Sequence, residues 1–212
     1  MPLQREGRFS RSYHSDERNV SCGLSRFMDG SASMSLSELE RTWKDWTKED
    51  QIDFCQSCRW LFEQTDFPDM LRFIMKHGGP EHWSGIALMV ADYLPAREAF
   101  EMLTEALNAT EIGKASNISQ GIAQIKDPRT EGILRNHLSK NWQHPKLWDN
   151  ADFINWVAFD ATTCIAHLIK FGASPADFIE QTRLLARHEC ARNRESCRNF
   201  LSKHYPEINF SN

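Results

Sequence analysis

The stretch Ile122-Ala-Gln-Ile-Lys-Asp-Pro-Arg-Thr-Glu-Gly-Ile-Leu-Arg-Asn-His-Leu138 decides the fold. An apolar helical run closing on Ile122 and Ile125 meets a two-residue corner, and a second run opens at Pro128. Asp127 can accept hydrogen bonds from the free amides of a first helical turn. Pro128 suits position N1, where a missing N–H costs nothing and a fixed φ favours helix initiation. Beyond it Ile133, Leu134 and Leu138, with His137 beside them, form an apolar stripe while Glu131 and Arg135 point away. The unit reads as an amphipathic helical hairpin.

Similar corners recur at Thr65-Asp-Phe-Pro68, Asp92-Tyr-Leu-Pro95 and Gly172-Ala-Ser-Pro175, each ahead of an amphipathic run. Successive prolines of the set lie 27, 33 and 47 residues apart, a spacing that suits divergent repeats with insertions. Asp127-Pro128-Arg129 followed by Ile133, Leu134 and Leu138 resembles the HEAT-repeat family, including its short variant shared with bilin lyases, whose second helix commonly opens on such a corner. The likeness spans residues 49–190. It implies a short right-handed α-solenoid of antiparallel hairpins within a domain covering residues 35–212, with the second helices lining a concave face. Independently of that likeness, no strand-like alternation occurs, so the fold class reads as all-α.

Outward from the central hairpin, Ser35 or Ser37 can cap a first helix bearing Leu36, Leu39, Trp43 and Trp46. Thr47-Lys-Glu-Asp50 has the form of a capping box and opens a helix through Cys55 and Cys58. A helix over Phe67–His77 should stop at Gly78-Gly79. The pattern then predicts helices over 81–93, 96–108, 110–126 and 128–140, an insertion over 141–150, and an apolar helix over 152–171 that ends at Gly172. A polar-faced helix over 175–190 follows.

Residues 1–34 are rich in Ser, Arg and Gly without sustained periodicity and read as a flexible N-terminal tail. A hydrophobic content of 41% and a net charge of −4 suit a soluble chain, with no bulk electrostatic pull toward nucleic acid or anionic membrane. No segment approaches the roughly 18 apolar residues of a membrane span. Six scattered cysteines fit free thiols of a reducing compartment better than a disulfide framework, so a cytoplasmic protein is expected.

The reactive side chains lack the spacing that chemistry requires. Cys55-Gln-Ser-Cys58 has the interval of redox and zinc sites, but no second ligand pair accompanies it and helical periodicity directs both sulfurs toward the core. Cys164 and His167 imitate a nucleophile and base at i, i+3, yet they fall in the most apolar run, where a thiol is inert. His137 reads as structural, since no paired-histidine motif occurs, and no glycine-rich phosphate loop is present. No catalytic residue, metal or cofactor is therefore expected.

Binding is better signalled than catalysis. Asp177, Glu180, Arg183 and Arg187 form a polar stripe on the 175–190 helix, and the resemblance would align it with Glu131 and Arg135 on one mixed-charge concave wall. Trp142 and Trp148 in the insertion suit aromatic anchoring. Another protein is the expected partner, bound by a non-enzymatic scaffold. The competing reading is a HEAT-like DNA glycosylase or another nucleic-acid-acting enzyme. Such an enzyme needs a cationic groove for phosphates, which Glu101, Glu105, Glu131, Asp177 and Glu180 disfavour.

Overall fold

The computed structural model describes residues 34–61, 64–111, 113–142 and 151–186, with five isolated helical positions beyond them. Helix is the only regular secondary structure among these residues. The α-helices are α1 (Leu36–Thr42), α2 (Lys48–Ser57), α3 (Phe67–His77), α4 (Pro80–Tyr93), α5 (Ala96–Ala109), α6 (Ser116–Ile125), α7 (Thr130–Trp142), α8 (Ala151–Lys170) and α9 (Ile179–Ala186). Short 3-10 turns cover Trp43–Asp45, Cys58–Leu61 and Pro175–Phe178. No described helix is long and apolar enough to cross a membrane. The expected tail over residues 1–34 lies, apart from Met34, outside the described residues.

Local chemistry sets most helix starts. Ser35 Oγ accepts the Glu38 amide at 3.3 Å, and Thr47 Oγ1 accepts the Asp50 amide at 3.1 Å, as their positions predicted. Asp66 does not cap its own helix. Its Oδ2 accepts the Leu36 amide at 2.6 Å, which ties the first turn of α1 to the start of α3. At α4 the His82 ring reaches back so that Nδ1 accepts the Gly79 amide at 2.9 Å, while Nε2 stands 3.1 Å from Gln51 Oε1 on α2. An amide can only donate, so this contact leaves the ring proton on Nε2.

The central corner is longer than the sequence suggested. α6 ends at Ile125, Lys126 adopts the left-handed conformation at φ 59°, and α7 begins at Thr130 rather than Pro128. The side chain of Asp127 causes the delay: Oδ1 accepts the Arg129 amide at 2.9 Å, closing a turn before the helix, and both carboxylate oxygens take the Arg129 guanidinium at 2.9 Å. That guanidinium lies 4.3 Å from the centre of the Phe100 ring, so the corner is clamped onto α5. Arg129 holds the Asp127 carboxyl well below the usual range, at about 2.

A second correction concerns the helix expected over 110–126, which starts only at Ser116. Thr110 turns extended, and Gly113 takes φ 89°, a conformation that halts a helix and suits glycine. The polar run expected to be helical from Pro175 begins as the 3-10 turn and becomes α-helical at Ile179. Its end lies outside the described residues.

Packing follows a simple rule. Even-numbered helices α2, α4, α6 and α8 contact one another in succession, α1 touches α3, and α5 touches α7. Each helix from α3 to α7 also packs on the next one along the chain. The buried apolar side chains form two clusters, one from Leu39 to Ile122 and a smaller one from Ala123 to Phe178, with α6 contributing to both.

Two glycines permit the tightest approaches along the even row. A Cβ on Gly85 would stand 3.0 Å from Cys55 Cβ on α2. One on Gly121 would meet the Ala87 carbonyl oxygen of α4 at 2.8 Å and Leu103 Cδ1 at 3.0 Å. Gly132 on α7 has nothing within 4 Å of that position. Gly121→Ala should therefore destabilise the chain by about 1–3 kcal/mol through overpacking, whereas Gly132→Ala should stabilise it by about 0.5–1 kcal/mol through helix propensity. Urea melts of both variants check this, and equal effects would remove the close crossing as an explanation.

Burial holds the His82 pKa below the ordinary histidine value. The unfolded chain then binds the extra proton more readily than the folded one, so the contribution of neutral His82 is present above about pH 6.5 and is lost as pH falls through the folded value. Thermal melts between about pH 7.5 and pH 5 should show the wild type losing more stability than His82→Gln, whose side chain can still reach back to Gly79. Parallel losses would assign the acid sensitivity to another group.

Candidate functional site

Three places carry enough chemistry to weigh. The first is an open cleft of about 490 Å³ where α3, α4 and α5 meet. Its walls are Met75, Trp83, Met102, Ala106 and Ala109, with Arg72, Lys76 and Glu105 at the polar side. Trp83 is fixed as a wall because its indole N–H donates to the Met75 carbonyl at 3.0 Å. Arg72 is occupied: it bonds Glu98 at 2.6 and 2.9 Å and Asp69 at 2.6 Å, and these carboxylates push its pKa further up. Lys76 and Glu105 make no ion pair with described residues and are exposed. The cleft is thus a soft apolar floor with one available cation and one available anion. Its volume falls within the ordinary range of binding pockets, about 300–1,000 Å³.

The second place is the surface singled out by its charge pattern. Arg135 donates to Glu131 at 2.9 Å along α7 and to Asp177 at 3.3 Å, and its guanidinium lies 5.8 Å from the Phe178 ring centre. The structure thus brings Glu131, Arg135 and Asp177 into one network. Glu180 and Arg183 pair separately with each other at 3.2 Å. Their charges are already spent on one another, at exposed positions where such pairs add about 0–1 kcal/mol. Trp142 is the last residue of α7, while its side chain, Trp148 and Arg187 lie outside the described residues.

The third place is a polar knot in the core, which the sequence reading missed. Asp160 on α8 is fully buried, and its Oδ2 accepts His137 Nε2–H at 2.8 Å and lies 3.4 Å from the Gly113 amide. Ser119 Oγ on α6 stands 3.5 Å from Asp160 Oδ1 and accepts the Cys164 thiol at 3.6 Å. Ser119 and Cys164 are fully buried and His137 is 5% exposed. His137 is a core histidine and Cys164 a buried thiol, as expected; the thiol bonds Ser119, and the histidine in its cluster is His137 from another helix rather than His167 one turn away. Asp160 and Cys164 share a face of α8 at i, i+4. The available signal was a carboxylate in the middle of the most apolar run of the chain.

This knot is unsuited to nucleophilic catalysis. Burial and the neighbouring Asp160 charge both push the Cys164 thiol up, whereas a reactive cysteine needs a cationic neighbour and solvent access. Cys55 on α2 and Cys58 in the turn after it are likewise buried. Burial raises Cys58 to about 12 and Cys55 further, and the Cys58 thiol approaches Met89 Sδ at 4.0 Å. All three are free thiols.

Comparison with family models, curated proteins and solved structures finds no match.

The three buried thiols should resist alkylation in native protein near pH 8 and react in urea, with mass spectrometry of peptides identifying the sites. Rapid native labelling at Cys164 would show that the knot opens to solvent.

Proposed function

We propose that the chain is a non-enzymatic protein-binding module of HEAT-like architecture, and that its binding centre is the cleft between α3, α4 and α5. The alternating contacts of even and odd helices support a short solenoid of antiparallel pairs, because stacked pairs give each helix neighbours two positions away as well as next in sequence. Free thiols support a reducing compartment, with the cytoplasm as the simplest.

The observation that carries the reading is the make-up of the cleft. Met75, Met102 and Trp83 offer polarizable, adaptable surface of the kind that accepts apolar side chains from a partner helix. Lys76 and Glu105 add one charge of each sign. The occupant that fits is an amphipathic helix of another protein, with an apolar anchor between an acidic residue facing Lys76 and a basic residue facing Glu105. Charge would set orientation and on-rate, and burial of the anchor would set residence time. The stripe from Glu131 to Arg183 contributes less in this reading, since its described charges are internally compensated.

A nucleic-acid enzyme draws no support from the site. Arg72, Arg97, Arg129, Arg135 and Arg183 each bond a carboxylate, so these arginines are not free to hold phosphates.

The test uses a photo-crosslinking amino acid at exposed Ala109, at the edge of the cleft. A protein captured from the native host should cross-link there through a helical segment. Met102→Glu should weaken its binding by more than tenfold, about 1.4 kcal/mol, with Lys76→Glu smaller in the same direction. Equal affinity of Met102→Glu with an unchanged melt would reject the cleft. Tight, salt-sensitive binding to duplex DNA would reject the protein-binding reading.

A further inference from the structure

We infer that His137, Asp160 and Cys164 form a structural site for one zinc-class divalent cation, with the Ser119 hydroxyl at the fourth vertex. The ligand atoms His137 Nε2, an Asp160 carboxylate oxygen and Cys164 Sγ all lie within 4.8 Å of one another, deep in the contact among α6, α7 and α8. Ser119 Oγ is 3.5 Å from Asp160 and 3.6 Å from Cys164. One nitrogen, one carboxylate oxygen and one thiolate are each ordinary zinc donors, whereas magnesium and calcium reject sulfur.

Charge balance favours the same assignment. A divalent cation beside one carboxylate and one thiolate forms a set with no net charge, which suits a buried position. Binding exchanges the Cys164 S–H bond for an S–metal bond, and the proton leaves to solvent; neutral His137 supplies its Nε2 lone pair after moving its ring proton to Nδ1. Tetrahedral bonds of about 2.0–2.2 Å hold nitrogen and oxygen ligands roughly 3.4 Å apart, so the present 2.8 Å His137–Asp160 contact must widen by roughly half an ångström. Side-chain rotation suffices for that.

The site has a structural rather than catalytic character. Its side chains are between 0 and 5% exposed, which leaves no open coordination position facing solvent. The Gly113 amide lies 3.4 Å from Asp160 Oδ2, so the backbone also faces the site. The cation would join three helices that are otherwise held by the smaller apolar cluster.

Full-length protein stripped with a chelator and titrated with Co2+ should take up one equivalent. It should develop the visible bands of a tetrahedral ion together with a thiolate-to-cobalt charge-transfer band. Cys164→Ser should lose the charge-transfer band, and the Cys55→Ser, Cys58→Ser double variant should keep it. Absence of stoichiometric uptake by folded wild type would overturn the site, as would a band that survives Cys164→Ser or follows the other pair. If Cys164→Ser fails to fold, X-ray absorption of the zinc-loaded wild type decides. One sulfur with nitrogen and oxygen neighbours supports the site, and two or more sulfurs, or none, refute it.

Discussion

The missing side chains of Gly85 and Gly121 set the spacing on which the packing depends. α4 lies against α2 on one side and α6 on the other, and a methyl group at either glycine would press into a neighbour at 3.0 Å or less. Ala87, itself fully buried, keeps the α4 face narrow where Gly121 arrives. Because interiors pack at near-crystalline density, widening either crossing would leave gaps around Ile86, Val90, Leu103 and Ile118 that larger side chains do not fill. The corners, caps and surface charges are arranged around a row of helices whose separation is fixed by what these positions lack.

Corners were the most legible part of the sequence. Thr47, Ser35, Gly78 and Pro68 act through their own backbone or through amides a few residues away, so a local reading captures them. Asp127-Pro128-Arg129 was legible as a corner, but its length was not, because the carboxylate prefers a closed turn with Arg129 and the guanidinium is drawn to Phe100, 29 positions earlier in the chain. Residues 110–115 failed for a related reason. Their helical propensity yields to Gly113 and to a hydrogen bond with Asp160, 47 residues away. The knot around Asp160 gathers residues 113, 119, 137, 160 and 164 from four segments, and no spacing rule in one dimension encodes such a meeting.

Charge shows the same contrast between pattern and arrangement. A stripe of alternating signs suggested a surface waiting for a partner, yet arginines on helices readily reach carboxylates one turn away, as Arg135 and Arg183 do. Lys76 and Glu105, which pair with no described residue, stand on different helices beside methionine and tryptophan, where no linear stripe marks them. Apolar floor and unspent charge coincide there.

The division of the core into two unequal clusters has a consequence for how the chain comes apart. α6 gives Ile118 and Ile122 to the larger cluster and Ala123 to the smaller, so it belongs to both cooperative units. Openings that release α7 and α8 expose chiefly the smaller of the described clusters and should cost less free energy than unfolding the whole. Amide hydrogens of α4 and of the α6 face turned toward it should then exchange more slowly than those of α7 and α8, which a partial opening would release. The molecule is thus a ladder of stabilities with α6 as its common rung, and any ligand that grips His137, Asp160 and Cys164 acts on the lower step first.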